Sequence, residues 1–313
     1  MRALTAMLVL SALPAQLPEP FRAAVEVDAR GGRRVVETRE VTSLGKRSLA
    51  VLFEDPKDDG ARMLRLYFVP DGATAPTSVE LYSEQIVSFG TYEDPKTVAV
   101  DLNGDGRKEL VVSAANGGNC WQCSRVLLYT LEGNGARLIA SEPMRLEDLD
   151  GDGRVELLVG DTRWEAYDDF SHAAAPGGTL VYTWRDGAYV FAGSDAAAYY
   201  DGKLAELRAG LAESVASIRP DEANGDELYL HYALSIYIVH AYTGRLEAGR
   251  EELRRALGEH AASDEMRARR KRILGDFLAG ESAKLLSEPR KGQRLEVEGA
   301  GAGGQGSVKS RLP

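Results

Sequence analysis

The sequence predicts two domains, a mainly antiparallel β-domain over residues 16–193 and an all-α helical domain over 194–286. Three observations predict it. Short runs rich in Val, Leu, Tyr and Thr recur through the first part. Asp-Gly and Asn-Gly pairs separate them, the usual chemistry of tight hairpins. After Ser194 the apolar spacing changes to a helical period.

The first fifteen residues read as an export signal. Arg2 supplies a positive start, Ala3 to Leu13 is almost wholly apolar, and Ala15 offers a small residue for cleavage. The run is too short to span a bilayer, and no later segment is apolar enough to do so. The expected location is therefore the periplasm or the medium.

Strand candidates follow at Ser48 to Phe53, Met63 to Val69, Thr97 to Asp101, Arg125 to Leu131 and Thr179 to Trp184. Asp71-Gly72, Asn134-Gly135 and Asp186-Gly187 mark turns. No amphipathic helical stretch interrupts Phe21 to Ala192, which argues against a parallel βαβ fold. Helices are expected over Ala196 to Ser217, Glu222 to Thr243, Arg245 to Leu257 and Asp264 to Leu278. Pro220 suits a first helical turn. The second helix is apolar almost all round, as in the buried centre of a bundle. From Ser287 to the end the composition is Gly-, Ala- and Lys/Arg-rich, which predicts a disordered tail over 287–313.

Net charge is −10, from 48 acidic and 38 basic side chains. Such a chain repels nucleic acid and anionic lipid on average and suits cations. The acids cluster where a cation would need them. Asp101, Asn103, Asp105 and Glu109 stand at positions 1, 3, 5 and 9 of one loop. Asp148, Asp150, Asp152 and Glu156 repeat the pattern 47 residues later (148 minus 101). Calcium takes about 6–8 oxygens at about 2.3–2.6 Å, and alternate residues of a tight loop can supply them. Gly106 and Gly153 at position 6 permit the sharp turn. Arg107 and Arg154 at position 7 would each add a main-chain carbonyl. Without a cation, acids this close repel.

An EF-hand begins the same way but puts an acid at position 12 and continues as a helix. Here position 12 is Val112 and Val159, and both loops run into strand-like text. A short acidic loop feeding a strand resembles the FG-GAP, or VCBS, repeats of integrin-like β-propellers. Phe89-Gly90, upstream of the first loop, fits as well. Asn103 and the glutamates at both ninth positions depart from that pattern without removing an oxygen. The resemblance covers about Val87 to Val190. It implies a propeller-like or partial-propeller β-domain with structural Ca2+ at the blade edge. Propellers use about 4–8 blades, and the β-region has room for three or four.

Cys120 and Cys123 are the only cysteines. In an exported chain they are expected to form a local disulfide. Their C-x-x-C spacing also fits thiol–disulfide exchange, which would want a helix N-terminus rather than the strand expected after it. Tyr232 to Leu257 resembles one tetratricopeptide hairpin, with Ile236, Gly244, Leu246, Gly249, Leu253, Ala256 and Leu257 at its small and apolar positions. The basic run Arg267 to Arg272 reads as a solvated helix face. His231 and His240 read as hydrogen-bonded core residues, and no nucleophile–base–acid set is visible. The expectation is an exported calcium-braced scaffold or recognition module rather than an enzyme. Its partner would be a protein or a glycan. The alternative is a thiol–disulfide exchange protein using Cys120 and Cys123.

Overall fold

The computed structural model describes residues 17–58, 60–132, 134–222, 224–260, 263–287 and 293–295. The expected export signal at 1–15 lies outside them, as does most of the expected tail. The architecture is antiparallel β followed by α, with the helices mostly in the C-terminal part. None of the sheets is closed. Among the described residues no helix is long and apolar enough to cross a membrane.

The described residues form two compact units, 17–118 with 123–141 and 119–122 with 142–295. The division falls after Ser141 rather than near 193, because the last sheet belongs to the same unit as the helices.

The first unit begins with a helix, α1 (Arg22–Ala29). Four strands then form a meander in the order 1-2-3-4: β1 (Arg34–Ser43), β2 (Lys46–Asp55), β3 (Ala61–Phe68) and β4 (Thr77–Glu84). Leu44-Gly45 joins β1 to β2 with φ of 50° and 74°. Two successive positive values are what a primed hairpin turn demands. β2 is buried on both faces, which is why it reads as an unbroken apolar run. Its Ala50 and Leu52 join Leu64 and Leu66 of β3 in one core, while Leu49, Val51 and Phe53 pack with Phe21 and Val25 of the α1 segment. The helix was not expected. It is eight residues long with only Val25 buried, too little to register as a period. Asp28 at its end accepts hydrogen bonds from the Tyr67 hydroxyl and from Arg65.

The second sheet contains β5 (Ile86–Phe89), β6 (Ala99–Val100), β7 (Glu109–Ala115), β8 (Ser124–Glu132) and β9 (Gly135–Glu142). Its order is β5-β7-β8-β9, with β6 pairing the start of β7. Leu110, Val112 and Ala114 of β7, with Leu127 and Tyr129 of β8, meet the inner faces of β2 and β3 in a shared core.

In the second unit β10 (Met144–Glu147), β11 (Glu156–Gly160), β12 (Thr179–Arg185) and β13 (Ala188–Phe191) form another meander in chain order. Asp186-Gly187 closes its last hairpin with φ of 49° and 78°. Five helices follow: α2 (Ala197–Ser214), α3 (Glu227–Tyr242), α4 (Leu246–Gly258), α5 (Asp264–Ala279) and α6 (Glu281–Ser287). α3 is the buried centre, with eleven of its sixteen residues buried. It starts at Glu227 rather than Glu222, because the Arg219 N–H donates to the Gly225 carbonyl and closes a turn ahead of it. Leu228 consequently faces solvent. The helices hold the sheet through polar anchors: Tyr200 accepts the Val181 N–H and Ser235 accepts the Gly177 N–H. Gly178 lies so close to the Tyr242 ring that a Cβ would stand 2.5 Å from it.

Two expectations are corrected here. Gln293–Leu295, within the tail expected to be disordered, lies beside β13. The run Arg267 to Arg272 is not a wholly solvated face. Arg270 is 1% exposed and donates to Asp226 at 2.7 Å, while Arg269 pairs with Asp168. The helix thus turns Arg269 and Arg270 toward the protein and Arg267 and Arg272 toward water. Asp226 is itself buried and keeps Arg269 at 3.6 Å, so removing Arg270 takes away its direct hydrogen bond and leaves the charge only partly matched, at a cost of up to about 3–5 kcal/mol. R270A is expected to lose that much in urea unfolding, whereas R267A at an exposed position stays within about 0.5 kcal/mol of the parent.

Candidate metal centres

Each acidic loop links two antiparallel neighbours, β6 to β7 and β10 to β11. The registers match, with Val100 opposite Glu109 and Glu147 opposite Glu156. The ninth residue of each loop is therefore the first residue of the strand that follows.

Five hydrogen bonds recur in both loops. The first aspartate accepts two main-chain N–H groups through different oxygens. In loop one, Gly104 N–H reaches Asp101 Oδ1 at 2.8 Å and Gly106 N–H reaches Oδ2 at 3.0 Å. In loop two, Gly151 and Gly153 reach Asp148 at the same 2.8 and 3.0 Å. The third-position side chain accepts from the fifth residue: Asp105 N–H to Asn103, Asp152 N–H to Asp150. The fifth-position aspartate accepts from the seventh: Arg107 N–H to Asp105, Arg154 N–H to Asp152. The glutamate accepts from the second residue, Leu102 N–H to Glu109 and Leu149 N–H to Glu156. Gly104, Gly106, Gly151 and Gly153 all have φ between 72° and 84°, where a Cβ is strained.

A carboxylate oxygen has two lone pairs, so accepting one N–H leaves room for a second partner. In loop two, oxygens of Asp148, Asp150 and Glu156 all lie within 4.8 Å of one another. Ligands on opposite sides of a calcium ion stand about 5 Å apart, so one ion could touch all three. Asp152 is not part of this trio. Loop one carries Asn103 where loop two has Asp150, one carboxylate fewer, and the Asn103 Nδ2 is buried without an acceptor.

The glutamates fit a cation for a further reason. Glu109 is fully buried and its Oε1 has no hydrogen-bond donor. Burial pushes its carboxyl up to about 7, with the Leu102 N–H and the Thr130 hydroxyl opposing and the charges of Asp105 and Asp101 adding. Burial likewise raises Glu156, whose Oε1 receives a 3.3 Å bond from Thr183. Thr130 stands opposite Glu109 in the β7–β8 ladder. This Glu–Thr pair was not seen in the sequence, because the intervals differ, 21 residues in one repeat (130 minus 109) and 27 in the other (183 minus 156). If calcium binds, Asp101, Asn103 and Glu109, and Asp148, Asp150 and Glu156, would hold it as hard oxygen donors and it would supply the missing positive charge.

Cys120 and Cys123 are joined by a disulfide across a single 3₁₀ turn, Trp121–Cys123. Cys123 is buried, with its Sγ 2.5 Å from where a Gly118 Cβ would stand. His231 Nδ1 pairs with the Ala175 carbonyl and His240 Nε2 with Glu252, so both are hydrogen-bonded. No family model matches the chain, and no curated protein and no solved structure is significantly similar to it.

The raised Glu109 carboxyl sets a pH dependence. The folded state binds this proton more tightly than the unfolded chain, whose carboxyl titrates near about 4.3. Its contribution is present below that value and lost as pH rises through about 7. In chelator the melting midpoint is expected to fall between about pH 5 and pH 8, and E109Q to remove much of that fall. A thermal-melt series in chelator, parent against E109Q, measures both.

Proposed function

We propose that the protein is an exported scaffold or recognition module of the FG-GAP type, in which calcium braces the β-sheets and takes no part in chemistry. The observation that carries this reading is the repeated loop. Two segments 47 residues apart share five hydrogen bonds and the same glycine conformations, and each ends on a buried glutamate whose carboxyl is pushed up by burial. Conservation of that polar geometry across two loops is hard to account for as turn chemistry alone, which needs no buried carboxylate.

Three successive antiparallel sheets, of four, five and four strands, support a blade-like reading, since four-stranded antiparallel sheets are the unit from which propellers are built. On this reading the β-region is a partial propeller. The disulfide supports an oxidising compartment, and with it export. The buried Cys123 favours a bridge that fixes a turn over one that exchanges thiols.

Calcium at about 100 times its dissociation constant should add about 2.7 kcal/mol per site. The expected result is a higher melting midpoint in excess calcium than in excess chelator; equal midpoints would sink the proposal. The loops should also differ. Affinity follows ligand charge, so loop two, with carboxylates at all four side-chain positions, is expected to bind more tightly. In calorimetry E156Q should remove the tighter of two events and E109Q the weaker. Loss of the tighter event in E109Q alone would show that charge count does not set the order.

A further inference from the structure

The last sheet is longer by one strand than its hairpins account for. Beyond β13, Gln293–Leu295 runs antiparallel to it, with Arg294 opposite Val190. Phe191 N–H donates to the Gln293 carbonyl and Leu295 N–H donates to the Tyr189 carbonyl, both at 2.9 Å. This register places Leu295 opposite Tyr189 and Gln293 opposite Phe191. Tyr189 and Phe191 are the buried residues of β13, so Leu295 joins the apolar face and is itself half-buried. Gln293 and Arg294 are exposed. What holds the segment is therefore two main-chain hydrogen bonds and one apolar side chain.

An uncapped strand edge is a template for another chain. Here the cap arrives from after the last helix rather than from a hairpin, so no tight turn fixes it to its neighbour. We infer that the outer edge of β13 is a strand-acceptor surface, and that its occupant is the 293–295 segment of this chain, in cis here and in trans from a second copy. Recognition is by strand addition: main-chain bonds give the affinity, and an apolar residue at the position of Leu295 gives the register. The edge is open to a second copy only when its own segment lets go. This surface is independent of the acidic loops, and it gives the scaffold a definite kind of partner, an extended peptide.

The probe is a synthetic peptide spanning residues 291–298, and the first readout is amide exchange in the unmodified chain. The Phe191 and Leu295 amides should both be protected. A tethered segment competes at an effective concentration in roughly the millimolar range, so the peptide is added at that level. Leu295 of the chain should then lose protection while Phe191 keeps it, because the peptide has taken over the same bond. A Leu295 amide that is unprotected without peptide, or protection unchanged by peptide, overturns the proposal. The second readout uses L295P in the full chain, which removes the N–H given to Tyr189. Labelled peptide should bind folded L295P at least about tenfold more tightly than the parent, since the tethered competitor is weakened. No binding to a folded L295P also overturns it. If L295P does not fold, the exchange measurement on the parent decides alone.

Discussion

The buried glutamate at the start of β7 and of β11 is the constraint on which the β-region turns. It does two things at once. As the first residue of a strand it is locked into a ladder, and through its carboxylate it holds the second residue of the loop before it. Loop and strand cannot move separately without breaking that bond. The first aspartate completes the arrangement by gathering two glycine amides from within the loop. What results is a rigid concave turn whose remaining lone pairs converge, with the glutamate as its floor. Burial raises the proton affinity of both carboxylates. A cation bound there would replace the proton and offset that cost.

The same unit built twice also explains the sheet order. A loop of this kind can join only adjacent antiparallel strands, and so each copy sits inside a meander. The first sheet follows the meander plan without the loop, because Leu44-Gly45 closes its first hairpin in two residues. The second unit departs in its loops and helices. There the sheet is anchored by hydroxyls of Tyr200 and Ser235, and Trp164 stacks on Phe277 at 5.5 Å between ring centres.

Much of this could be read from the residues. The strands between Ser48 and Trp184, the Asp-Gly turns and the helical C-terminal part follow from local chemistry, and each appears at or within a few residues of its expected place. The order β then α holds for the same reason. Other features depend on tertiary contacts that spacing does not encode. α1 is too short to show a period and exists because Phe21 and Val25 cover β2. α3 starts late because the Arg219 N–H closes a turn onto the Gly225 carbonyl, and Asp226 just after it pairs with Arg270, a partner 44 residues away. The same pairing hides half of a basic run that composition alone assigns to solvent. The Glu109–Thr130 pair is set by a ladder and not by an interval, so no sequence spacing marks it. Gln293–Leu295 has no run long enough to predict a strand and is held by the exposed edge of β13.

A comparison of buried acids within the one chain shows why the loops stand apart. Asp161 is buried among donors the chain provides, with Tyr242 at 2.6 Å, the Trp164 indole at 3.1 Å and the Arg163 guanidinium. Asp226 has Arg270. Asp168 is buried too, and desolvation acts upward on it, yet the hydrogen bonds and charges of Arg272 and Arg269 hold it below the usual carboxylate range. Each of these acids has an internal cation or a set of strong donors, and none needs an ion from outside. Glu109 and Glu156 share their burial but not their partners. The basic residues nearest in sequence, Arg107 and Arg154, lend only main-chain N–H groups, and those go to Asp105 and Asp152. A chain able to place arginine beside buried carboxylates elsewhere leaves these two without one. Desolvation therefore dominates at the loops, and their proton affinity goes up where that of Asp168 goes down. An internal arginine would fill the space between the converging oxygens. In loop two the oxygens of Asp148, Asp150 and Glu156, all within 4.8 Å of one another, would offer a hard cation hard ligands.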